Sequence, residues 1–227
     1  MASHLDLEEQ EQLEQVKAFW KQWGNLITWL ITAALLAYAG WQGWNYYQRQ
    51  EATKAAAMYD ALDQAVQAAD ADKAASIFSD LKDRYPGTAY AAQGALQAAK
   101  VQQDKGQADK AMASLTWAAD NAGDDSYRDI ARLRLAGLQL DAKQYDAAAK
   151  SLDAIKSADF AALTADRRGD LQLLQNKPAE ARAEFQKALA AMDKTLDYRR
   201  LIEAKLATLG VAVPADDAAS AASGAAK

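Results

Sequence analysis

The run Ala165-Asp166-Arg167-Arg168-Gly169-Asp170 places two carboxylates four residues apart with two guanidiniums between them. On a helix, positions i and i+4 share a face. Asp166 and Asp170 can therefore accept one cation together through charge-assisted hydrogen bonds. The chemistry on offer is recognition. Asp166, Arg168 and Asp170 either receive a basic side chain from a partner or pair among themselves and fix the angle between adjacent helices. A second charged set, Arg128, Arg132, Arg134 and Lys143, offers a groove for acidic peptide, although the interleaved Asp129 and Asp141 favour a solvated face. Trp117 is the one tryptophan of six outside residues 20–44. It serves either as an exposed contact for a partner or as packing between helices.

Catalysis finds no such footing. The single histidine is His4, and there is no cysteine. Ser and Thr are scattered without a base beside them. No Gly-rich phosphate loop appears, and no His/Asp/Glu set has metal-ligand spacing. The sequence therefore predicts no enzyme, no cofactor and no metal. The net charge of −5, without a Lys/Arg cluster, argues against a nucleic-acid partner.

These residues must be positioned by helices. Alanine is abundant, whereas Gly (11) and Pro (3) are sparse in 227 residues. That composition predicts an all-α chain. Its most distinctive stretch is residues 22–48, where no charged side chain occurs between Lys21 and Arg49. As a helix, such a stretch spans roughly 40 Å, more than the ~30 Å hydrocarbon layer of a bilayer. Trp20, Trp23 and Trp29 bracket one end, and Trp41, Trp44, Tyr46 and Tyr47 the other. Amphipathic rings favour that interfacial depth. Residues 22–48 are thus expected to be a transmembrane anchor, preceded by an acidic tail over 1–21. Ala33, Ala37 and Gly40 lie at i, i+4 and i+7 and make one small-residue stripe on it. Small residues let helices approach closely in lipid. The stripe docks another membrane helix, supports weak self-association, or faces lipid. Lys17 and Lys21 on one side balance Arg49 and Lys54 on the other, so charge gives no orientation.

Beyond the anchor the chain repeats itself. Four segments carry an alanine, a large apolar residue four positions on, and a further small or apolar residue: Ala74/Phe78/Leu81, Ala111/Leu115/Ala118, Ala148/Leu152/Ile155 and Ala181/Phe185/Ala188. Their alanines are 37, 37 and 33 residues apart. Each segment follows another helical run and a turn, at Ala71-Asp72, Gly106-Gln107, Gln144-Tyr145 and Asn176-Lys177-Pro178. Stronger breakers separate the units, at Pro86-Gly87-Thr88, Gly123 to Ser126, and Ser157 to Asp159. Helix–turn–helix units at that period predict a tetratricopeptide-like α-solenoid over residues 49–210, of about four helix pairs. Leu196, Leu201, Ile202, Leu206 and Leu209 predict one more helix that closes its end. Gly169, twelve residues before Ala181, falls where the first helix of such a repeat carries its glycine. Residues 211–227 hold too little apolar surface to fold and are expected to be disordered.

In this order, the acidic tail, aromatic-flanked anchor and degenerate repeats resemble the YfgM-like family of bacterial inner-membrane proteins, described as ancillary subunits of the SecYEG translocon. The resemblance spans roughly residues 12–210. It is carried by Gln15-Val16-Lys17-Ala18-Phe19, Gly40-Trp41 to Tyr46, Leu133-Arg134-Leu135-Ala136, Leu152-Asp153-Ala154-Ile155 and, above all, Ala165 to Asp170. The resemblance implies a cytoplasmic N-terminus and a periplasmic repeat domain. It also implies association with the translocon and with a membrane-anchored periplasmic chaperone of the prolyl-isomerase type. On this view the chain is an interaction scaffold that helps hand emerging envelope proteins to chaperones. The rival is a structural assembly factor of the envelope whose leader is cleaved after Ala37-Tyr38-Ala39. The acidic leader and the aromatic run beyond Ala39 favour an uncleaved anchor.

Overall fold

A computed structural model describes residues 7–193 and 197–211, with side chains from residue 12. The expectation of a disordered tail, and Leu196 as part of the closing helix, lie outside these residues. The described residues form helices: α1 (Leu7–Gln67), α2 (Ala71–Arg84), α3 (Ala89–Asp104), α4 (Ala108–Asn121), α5 (Asp125–Asp141), α6 (Tyr145–Asp153), α7 (Ala161–Leu174), α8 (Pro178–Ala191) and α9 (Tyr198–Thr208). A 3-10 turn, Ala158–Phe160, precedes α7. The chain divides into two compact units between Glu51 and Ala52.

The first unit is helical from Leu7 onward. It contains the one segment among the described residues long and apolar enough to cross a membrane. Its large apolar side chains are exposed: Trp29 is 70% exposed and Leu36 69%. A core helix of a soluble domain would bury them. The two threonines between Leu26 and Trp41 are satisfied within the helix, Thr28 donating to the Gly24 carbonyl and Thr32 to the Thr28 carbonyl, each at 2.8 Å. A hydroxyl bonded to its own backbone leaves no unmet polar group for lipid to solvate.

The second unit is an α-solenoid. The C-terminal end of α1 buries Ala55, Leu62 and Ala65 and serves as the first helix of the first pair. Pairs α3/α4, α5/α6 and α7/α8 follow. Every second helix buries the large residue at the centre of its repeat segment: Phe78, Leu115, Leu152 and Phe185. The core is accordingly a chain of clusters, each joining consecutive helices.

The turns obey a rule the sequence reading had only in part. Ala69, Gly106, Lys143, Asn176 and Gly210 all take positive φ. In each case the next N–H reaches back five residues: Asp70 to Ala65, Gln107 to Gln102, Gln144 to Gln139, Lys177 to Gln172 and Val211 to Leu206, at 2.7–3.1 Å. This left-handed closure satisfies a free carbonyl at the helix end. It lies inside each helix pair, and the first pair turns at Ala69-Asp70 rather than at Ala71-Asp72. The breakers between units work differently. Asp70 apart, side-chain caps occur there: Thr88 accepts from the Ala91 N–H and Asp124 from the Ser126 N–H. That backbone donor holds the Asp124 carboxyl below its ordinary pKa. Because α9 ends in the same closure, it corresponds to the first helix of a fifth unit.

Size is balanced within the later pairs. A Cβ on Gly169 would lie 2.4 Å from the Phe185 ring. The equivalent contacts in the preceding pairs match alanine with leucine, Ala99 with Leu115 and Ala136 with Leu152. The first pair sets Leu62 beside Phe78. There the relief comes from the next unit, where a Cβ on Gly94 would meet Leu81 at 2.8 Å and Leu62 at 3.6 Å.

Candidate protein-interaction surfaces

The acidic box of α7 is occupied from within the protein. Asp166, only 1% exposed, accepts hydrogen bonds from the Tyr198 hydroxyl and from Lys205 Nζ, both at 2.8 Å. Asp170 receives the same ammonium at 2.7 Å and Arg167 at 3.4 Å. Burial, reinforced by the Asp166 carboxylate, pushes the Tyr198 phenol up to about 12. Arg168 turns away and pairs with Asp153 of α6 at 2.8 Å. The box thus ties α7 to α9 while Arg168 ties α7 to α6. Sequence spacing brought Asp166 and Asp170 together. It carried no signal for Tyr198 or Lys205, which lie 32 and 39 residues beyond Asp166.

The basic set does not form one groove. Arg128 bonds Asp125 and the Ala122 carbonyl. Arg132 bonds Asp129 at 3.0 Å and the carbonyls of Ala154 and Ala119. Buried Asp129 also accepts the Ser157 N–H at 3.2 Å, so these charges tie α5 to the end of α4 on one side and to the end of α6 on the other. Trp117 is half-buried, its ring edge-on to Phe78 with centroids 5.4 Å apart.

Arg134 goes elsewhere. It lies on the solenoid's inner face, built from the first helix of each pair. The register places Tyr90, Tyr127 and Phe160 in one row and Gln97, Arg134 and Arg167 in another, at the same spacings of 37 and 33 as the repeats. Toward the N-terminal end the row is closed by internal bonds, Gln93 to the Tyr127 hydroxyl and Gln97 to the Tyr59 hydroxyl. Toward the C-terminal end it opens into a cavity of about 220 Å³. Ile130, Leu133, Phe160, Leu163 and Tyr198 line it, together with Arg134 and Arg167.

A further polar register was readable and missed. Ser114 donates to Gln102, and Ser151 to Gln139, each at 2.9 Å and each across twelve residues. Both pairs bridge the two helices of one unit. In the fourth unit Glu184 stands opposite Gln172, where the register would place a serine.

On the anchor, Ala33, Ala37 and Gly40 are all exposed, and a Cβ on Gly40 would meet nothing within 4 Å.

Residues 17–211 match the tetratricopeptide repeat-like domain family. The chain belongs to this family, as one of the YfgM-like proteins. Among YfgM-like relatives, the ancillary SecYEG translocon subunit of Neisseria gonorrhoeae is 34% identical over 213 residues, covering 92% of this chain and 100% of that protein. The protein of the same name from Haemophilus influenzae is 32% identical over 80% of this chain and 89% of its own length. That from Escherichia coli K12 is 30% identical over 89% of this chain and 97% of its own. No solved structure matches the chain.

Proposed function

We propose that this protein is a non-enzymatic, single-pass scaffold of the bacterial inner membrane, an ancillary subunit of the SecYEG translocon. One observation carries the reading. Likeness to relatives bearing that name runs through the anchor and the repeats together, over nearly the whole of each chain. A shared repeat domain alone would imply only a shared fold. The N-terminus lies in the cytoplasm and the repeat domain in the periplasm, where it helps pass emerging envelope proteins to chaperones, among them a membrane-anchored prolyl isomerase. The division of labour follows from exposure. The anchor presents Ala33, Ala37 and Gly40 exposed on one stripe, a surface suited to another membrane helix. The inner face of the solenoid receives soluble or tethered chains. Anchoring raises the effective concentration of such weak contacts at the membrane.

The test is co-purification from membranes in mild detergent. Replacing Ala33, Ala37 and Gly40 with leucine should release the full-length protein from the channel while capture of the periplasmic chaperone persists. Retention on the channel after the triple change, with loss on removal of the repeats, would reduce the anchor to a tether. A reporter active only outside the cytoplasm, fused after Gly210, checks the orientation.

A further inference from the structure

In the second unit, the exposed large apolar side chains among the described residues are Leu163, Leu174, Tyr198 and Leu201, all on α7 and α9. Leu163, Arg167 and Leu174 share one helical stripe. The apolar exposure of the solenoid therefore concentrates at its C-terminal half, where Leu163 and Tyr198 line the 220 Å³ cavity. That volume is below the ~300–1,000 Å³ of small-molecule sites. It suits one side chain inserted from a longer ligand.

Charge identifies the ligand further. Arg134 reaches no carboxylate among the described residues, only the Leu96 carbonyl at 3.4 Å. Arg167 touches Asp170 at 3.4 Å, and the other oxygen of Asp170 already holds Lys205 at 2.7 Å. A guanidinium carries five N–H donors, so most donors of both arginines remain unfilled. They stand beside exposed apolar surface in a chain whose net charge is −5. Such a site is complementary to carboxylates flanking an apolar group.

We propose that this half of the inner face binds an extended segment of another protein in which two acidic residues bracket a large apolar one. Arg134 and Arg167 are at equivalent positions of neighbouring first helices. Packed helices lie roughly 8–10 Å apart, and an extended chain advances about 3.3 Å per residue. The two acidic residues are therefore two or three positions apart. The apolar side chain between them enters the cavity against Ile130, Leu133, Phe160 and Leu163. The proposal rests on the inner face being the recognition surface and adds the chemistry of what it recognises.

The test is fluorescence anisotropy on the full-length protein in detergent micelles. The labelled probe carries Glu-Leu-Ser-Glu within a Gly/Ser peptide. The comparison probes carry Gln-Leu-Ser-Gln and Glu-Ser-Ser-Glu. The acidic-apolar peptide should bind about tenfold tighter than the amide peptide, with the preference abolished in the double variant Arg134→Gln, Arg167→Gln. Leu163→Asp should weaken both Leu-containing peptides, the acidic one more, because the new carboxylate lies four residues before Arg167 on the same face and competes for it. Helical content and melting temperature identify any variant that fails to fold, and Arg134→Lys, Arg167→Lys should restore part of the preference by restoring charge. Equal binding of the acidic and amide peptides, both lost with Leu163→Asp, would overturn the acidic specificity and keep the inner-face reading. Binding indifferent to Leu163→Asp would overturn both. A dimer of the full chain in sedimentation that Leu163→Asp dissociates would assign the face to a second copy and overturn the peptide.

Discussion

The small-residue stripe of the anchor and the acidic box of α7 are both products of helical spacing, yet they end in opposite states. Ala33, Ala37 and Gly40 are all exposed. Asp166 and Asp170 have all four carboxylate oxygens engaged, by Tyr198, Lys205 and Arg167. Shared-face spacing shows that two groups can act together. It does not show whether their partner is internal. Burial decides that, since a carboxylate 1% exposed must be satisfied within the fold, whereas exposed alanines in an apolar helix carry no such requirement. Changes in the solenoid should therefore act on stability, and changes in the stripe on association.

The largest effect should come from the contact on which the box sits. Phe185 is fully buried against Gly169. Phe185→Ala should destabilise the solenoid by about 3–5 kcal/mol, read from chemical denaturation of the full chain in micelles. Gly169→Ala places a methyl at 2.4 Å from the ring and should also destabilise. A loss below about 1 kcal/mol for Phe185→Ala would separate the acidic box from the core.

That packing was legible in advance. The alanine–aromatic spacing around Ala181 and Phe185, with a glycine twelve residues earlier, requires helices in close approach. The repeat period and the apolar anchor were legible for the same reason, because local periodicity reports which face is buried. The left-handed turns were half visible. Gly106 and Asn176 announce themselves, whereas Ala69 and Lys143 adopt the same φ with no compositional signal. The partners of Asp166 were not visible, since Tyr198 and Lys205 become neighbours only through the stacking of α9 on α7. The division of the basic set into Arg128 and Arg132 at a joint and Arg134 on the inner face was hidden likewise. It depends on which side of α5 each residue meets its neighbours. The Gln102–Ser114 and Gln139–Ser151 pairs were readable at the period of 37 and went unused.

An intermediate effect is expected from the cation of the box. Lys205→Ala leaves Asp166 buried with only the Tyr198 hydroxyl, and should cost about 2–3 kcal/mol, less than a fully buried pair because Lys205 is 21% exposed. Arg168→Ala breaks an exposed pair with Asp153 and should cost at most about 1 kcal/mol. The ratio of the two, from the same denaturation measurement, separates the internal box from the surface pair. Equal losses would mean that the lysine contributes no more than the surface arginine.

A similarly small effect at neutral pH should come from Tyr198, which is still 36% exposed. Tyr198→Phe keeps the ring and removes one hydrogen bond to Asp166, which Lys205 continues to satisfy, so the loss near pH 7 should be about 1 kcal/mol. Its signature is in alkali. The folded protein holds the phenolic proton more tightly than the unfolded chain, with a pKa near 12 against an ordinary 10. A raised acid pKa contributes stability that is complete below pH 10 and is lost as pH rises toward 12. The wild-type protein should therefore lose stability across that window more steeply than Tyr198→Phe, and the gap between them should narrow as pH climbs. Ultraviolet titration of the tyrosinate band follows the same event directly. A phenol titrating only above the others should disappear in the variant. Parallel stability curves from pH 9 to 12 would show that Tyr198 and Asp166 are not coupled, leaving Lys205 as the sole link between α7 and α9 through the box.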